Sequence, residues 1–124
     1  MIPYAHLDED QSAPQEWIEM GSANHSVIQA QIAYMLKREG RFTVMTEITL
    51  NVSPANFDAL GVRANATMKP DVALFEKLKL SRKSDIVRMD QMPKLAVEIL
   101  SPLQGYQEIY DKFKVYFSLG VESC

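Results

Sequence analysis

The chain has 124 residues, 47% of them hydrophobic, and a formal net charge of -3. That length supports one domain with its own core and is too short for two. No apolar run is long enough to span a bilayer, the charge argues against a strongly basic nucleic-acid coat, and the single Cys124 excludes an internal disulfide or a cysteine metal cluster.

Residues 1–20 read as a polar, acidic leader with Pro3 and Pro14, anchored at its end by Trp17, Ile18 and Met20. This is unlike a secretory leader, so a reducing cytoplasm is the expected compartment. His6 has no context. The remaining residues, 21–124, are expected to form the single domain.

SANHSVIQAQIAYMLKREG predicts an amphipathic helix. Ser22 or Asn24 is a suitable N-cap and Gly40 a suitable stop. Ile28, Ile32, Met35 and Leu36 supply the apolar stripe. RFTVMTEITLNV alternates and predicts one strand, with Phe42, Val44, Ile48 and Leu50 on one side and Thr43, Met45, Glu47 and Thr49 on the other. SPANFDALGVRANAT reads as a connection rich in turn-forming residues. KPDVALFE is a second strand, opened by Pro70, and KLAVEIL a third. Between them KLKLSRKSDIVRMDQMP reads as a polar, partly basic excursion. LQGYQEIYDKFKVYFSLG predicts a last helix. Its stripe of Tyr106, Ile109, Tyr110, Phe113, Tyr116 and Phe117 is expected in the core. The order is α-β-β-β-α, and a further strand is expected where the sequence ends at VESC.

The chemistry concentrates in LAVEIL. A carboxylate inside a buried strand is costly unless it has an ion pair, a metal or a proton. Asp71 opens the neighbouring strand, so the two carboxylates can converge at one sheet edge. Two such hard oxygen donors suit Mg²⁺ or Mn²⁺. Each has a plainer alternative. Glu98 can pair with Lys94 on the same strand face, and Asp71 after Pro70 can be an ordinary turn residue.

The ordered set Pro70 and Asp71, Glu98 to Pro102, then Lys112, Tyr116, Gly120 and Val121 resembles the Uma-type family of bacterial restriction endonucleases, in the PD-(D/E)XK nuclease superfamily. The similarity runs over roughly residues 19–124. It implies a restriction-endonuclease-like α/β core with a mixed sheet and metal-dependent hydrolysis of phosphodiester bonds in DNA. It implies Asp71, Glu98 and the Ile99 carbonyl as ligands of Mg²⁺ or Mn²⁺. Two departures stand out. The superfamily expects Lys two residues after the Glu, and Leu100 is there instead. Similar family members carry a Lys on the following helix, which matches Lys112. Family members also continue past GV, so the core is expected to look truncated after its second helix, with an open edge that favours a homo-oligomer.

Lys112 has its own plain alternative, a surface pair with Glu108 at i−4. Glu47 is a candidate third acid or a solvated strand residue. His25 is a candidate site-lining residue or a helix cap, and Lys114 a weaker alternative to Lys112. Lys77, Lys79, Arg82, Lys83 and Arg88 are either phosphate contacts or a solvated loop. The competing reading of the whole is a non-catalytic nuclease fold that serves as a DNA-binding or assembly module. The displaced lysine favours it and the acidic pair opposes it. Metal-dependent thermal stabilisation discriminates the two.

Overall fold

The computed structural model describes residues 22–101 and 105–124. The expected leader over residues 1–20, its anchor residues and Pro102 of the family motif lie outside the described residues. Helix α1 spans Ala23–Arg38, followed by strand β1, Phe42–Thr46, and a short strand β2, Leu50–Asn51. A one-turn helix α2, Phe57–Leu60, leads to β3, Thr67–Met68. Strand β4 is Val72–Glu76, β5 is Leu95–Val97, and helix α3 is Tyr106–Ser118.

The main sheet has the order β1-β4-β5, with both pairings antiparallel. Strand β4 is central, and its VALF run is buried on both faces, as a covered middle strand requires. On one face, Ala73, Phe75 and Ala96 join Val115 and Tyr116 of α3, together with Leu50, Val52, Phe57, Met89 and Val121, in one apolar cluster. Helix α1 packs against β1 and β4. Strands β2 and β3 form a separate antiparallel pair.

After α3 the chain returns beside β5. The Ala96 amide donates to the Ser123 carbonyl at 3.0 Å, and Leu95 and Ser123 form a parallel bridge. The named strands of this sheet are all antiparallel, and the expected mixed character is limited to this isolated bridge. In place of the expected further strand, residues 121–124 make this one bridge. Lys94 reinforces this edge through Glu76 at 3.3 Å and Glu122 at 3.7 Å.

The structure corrects four expectations. The single strand over 41–52 is broken at Glu47, whose φ of 53° lies in the left-handed region that few non-glycine residues adopt. Alternation alone cannot show such a break. The expected connection between the first two strands contains α2 and β3. Asn56 caps α2 by accepting from the Ala59 amide, and Gly61 ends it with φ 68°. Third, the inward face of α1 carries His25, Gln29, Ile32, Ala33 and Leu36, whereas Ile28 and Met35 are exposed. The helix is rotated from the apolar stripe because two polar residues have partners on the sheet. Fourth, Tyr106, Tyr110 and Phe117 are exposed, and α3 instead buries Val115 and Tyr116 with Ile109, Lys112, Phe113 and Leu119 partly covered. The caps agree better. Ser22 is the N-cap of α1, accepting from the His25 amide at 3.1 Å, and Gly40 follows with φ 78°.

Candidate active site

The register of β4 and β5 pairs Val72 with Val97 and Ala73 with Ala96. Continued by one residue, it sets Asp71 opposite Glu98. Alternation gives both the same sheet face as Ala73 and Ala96, the face that α3 covers. The Ile99 amide closes this end by donating to Asp71 Oδ2 at 2.6 Å. The two carboxylates therefore lie at one sheet end, near enough for the Asp71 charge to raise the Glu98 pKa.

Asp71 is tied down from several elements. His25 Nε2 lies 3.1 Å from its Oδ1. Gln29 Nε2 donates to its main-chain carbonyl at 2.8 Å, and the Glu47 amide donates to the same carbonyl at 3.2 Å. The last contact explains the left-handed Glu47, because the turn delivers its N–H to Asp71 where β1 ends.

Glu98 is more deeply enclosed, with its side chain 3% exposed. The Tyr116 hydroxyl donates to Oε1 at 2.7 Å, and Lys112 Nζ sits 3.7 Å from Oε2. Burial raises the Glu98 pKa above the ordinary carboxylate value. The Lys112 charge and the Tyr116 hydrogen bond pull it back, and Asp71 pushes it up again. Burial, then the Glu98 charge, push the Tyr116 phenol far up, so it remains a donor. Partial burial, helped by Glu98, pushes the Cys124 thiol up to about 11.

These contacts separate the alternatives left open by the sequence. Glu98 does not use Lys94, which is occupied by Glu76 and Glu122. Among the described residues, the ion pair of Lys112 is with Glu98, and its side chain is only 23% exposed. Lys114 pairs with Asp111 at 3.9 Å. Leu100, in place of the superfamily lysine, is exposed. His25 reaches Asp71. Glu47 contributes its main chain and has an exposed residue surface. Lys77, Lys79, Arg82, Lys83 and Arg88 are exposed on the excursion after β4.

No group of three or more His, Cys, Asp and Glu side chains with a metal-holding arrangement occurs among the described residues. A metal at this point would rest on two carboxylates plus main-chain or solvent oxygens. The donors suit that role. They are hard oxygens, they repel one another, and the buried one has a raised pKa that a cation would reverse.

Sequence reasoning missed Gln29, the hydroxyl role of Tyr116, and the approach of Cys124 to Glu98. A signal existed for the first: His25 and Gln29 are four residues apart, on one helix face. Tyr116 lay hidden in an aromatic stripe read as packing. The Tyr116→Phe variant should lose about 1–3 kcal/mol of stability, because an enclosed carboxylate oxygen loses its donor. Urea denaturation measures this, and an unchanged midpoint would mean that solvent replaces the hydroxyl.

A family described as "Putative restriction endonuclease" matches residues 11–123 of the chain. No curated protein and no solved structure matches it.

Proposed function

The chain belongs to the Uma-type family, and from that premise we propose that it is a metal-dependent endonuclease that hydrolyses phosphodiester bonds of DNA. The observation that carries this reading is that Asp71 and Glu98 each lie one residue beyond the last pair of β4 and β5, with the Ile99 amide on Asp71 and Lys112 beside the buried Glu98 carboxylate. Asp71, Glu98 and the Ile99 carbonyl would hold Mg²⁺ or Mn²⁺. When bound, the ion supplies positive charge to the scissile phosphate and acidity to the attacking water.

The remaining work falls to side chains. Tyr116 fixes Glu98 through Oε1 and leaves its other oxygen toward Lys112. Lys112 holds its ammonium 3.7 Å from Glu98 Oε2, where it can neutralise a phosphate oxygen or orient the water. It thereby takes the role of the lysine that Leu100 replaces. DNA brings the phosphate, and the exposed lysines and arginines of the 77–88 excursion offer it non-specific electrostatic contacts.

Supercoiled plasmid incubated with the protein and Mg²⁺ tests the reading. Nicking or linearisation that stops with EDTA is expected. Cleavage that continues in EDTA would contradict it.

The exposed Tyr106, Tyr110 and Phe117 line one flank of α3. We extend the proposal to self-association through this aromatic flank, since apolar surface of this kind favours burial. Light scattering at low micromolar concentration should give a mass above 14.1 kDa. A sharp monomer would remove this extension and leave the nuclease reading intact. No helix among the described residues is long and apolar enough to cross a membrane.

A further inference from the structure

The inward face of α1 presents a polar pair, His25 and Gln29, ahead of Ile32, Ala33 and Leu36. Polar groups turned toward a sheet are unfavourable without hydrogen bonds. Both find theirs on the same residue. Gln29 Nε2 holds the Asp71 carbonyl at 2.8 Å, and His25 Nε2 meets its Oδ1 at 3.1 Å. The Glu47 amide shares the carbonyl, and the Ile99 amide takes Oδ2. Four donors from three parts of the chain thus converge on one aspartate. One contact comes at the cost of a left-handed, non-glycine backbone, a kind of strain that clusters at functional sites.

We infer that α1 is a positioning arm for Asp71, with Gln29 fixing its main chain and His25 its carboxylate. The inference rests on the reading of Asp71 as a metal ligand. An ionised carboxylate only accepts, so His25 Nε2 carries the proton in this contact. Each carboxylate oxygen has two acceptor sites, so one donor per oxygen leaves capacity for a cation. The contacts of His25 and Gln29 at this site are with Asp71, not with a cation or phosphate. They act through Asp71, as the outer partners of metal ligands commonly do.

Calorimetric titration of Mn²⁺ into the full chain tests the role without relying on cleavage. Gln29→Met and His25→Leu should each weaken Mn²⁺ binding by about 10–100-fold, the usual effect of removing such a partner. The metal-free melting temperature should change far less. His25→Gln places an amide N–H near the position of the imidazole Nε2 and should restore most of the affinity. Wild-type affinity in both Gln29→Met and His25→Leu, with binding lost in Asp71→Ala, overturns the positioning role and leaves the metal site standing. If wild-type protein binds no Mn²⁺, or Asp71→Ala binds it equally well, both readings fall. Should Gln29→Met not fold, the histidine pair decides alone, and equal weakness of His25→Gln and His25→Leu overturns the inference.

Discussion

Glu98→Gln is expected to abolish Mg²⁺-dependent cleavage and to raise thermal stability at neutral pH. Both effects have one cause. The carboxylate is 3% exposed, faces Asp71, and has its pKa raised chiefly by burial. An amide keeps the shape and can still accept from Tyr116, but it removes the charge that would bind a cation. The stability gain should be small, because relief from burial and from the Asp71 charge is offset in part by the loss of the Lys112 ion pair. Its pH dependence follows from the direction of the shift. A raised folded pKa means that the folded state holds more protons than the unfolded state, whose carboxyl titrates at about 4.3. Wild-type stability from this group is therefore greatest below that value and falls as pH rises toward and through the folded pKa. Melting curves of the two proteins should converge in acid and separate toward neutral pH. A variant that cuts DNA at the wild-type rate would show that Glu98 has no part in cleavage.

Lys112→Met is expected to lower turnover by about two to four orders of magnitude, the range for a proton-transfer group or a positioned charge. The substitution keeps most of the apolar stem and deletes the ammonium 3.7 Å from Glu98 Oε2. Because that ammonium also holds the Glu98 pKa down, its loss should raise the pH at which Mn²⁺ begins to bind. Affinity at alkaline pH should remain close to wild type. Turnover within a factor of two of wild type would reduce Lys112 to the ion partner of a buried carboxylate.

The candidate site was legible in the sequence where local rules applied. An acid inside LAVEIL cannot be ordinary packing, and a proline–aspartate step at the head of VALF places a second acid at a strand entry. Their opposition, though, depends on register, which is visible only when Val72 meets Val97. The partners of the acids were less legible because they come from helices whose rotation tertiary packing decides. Helix α1 turns its polar His25 and Gln29 inward and leaves Ile28 and Met35 outside, against the simplest reading of its stripe. Helix α3 does the same with Lys112, which lies on the covered side while Tyr106 and Tyr110 are exposed. Amphipathic patterns assume that apolar residues face the core. At a site that must gather a lysine, a tyrosine, a histidine and a glutamine around two acids, that assumption fails. The break at Glu47 has a related origin, since a left-handed turn there aims an amide at Asp71.

In the proposed site Asp71 and Glu98 share one divalent cation. Crystals of the protein grown with Mn²⁺ and measured at a wavelength where manganese scatters anomalously test it directly. An anomalous peak is expected between the two carboxylates, about 2.0–2.6 Å from an oxygen of each, and it should disappear in Asp71→Ala. Well-ordered carboxylates with no peak between them, or a peak that persists in Asp71→Ala, would contradict it.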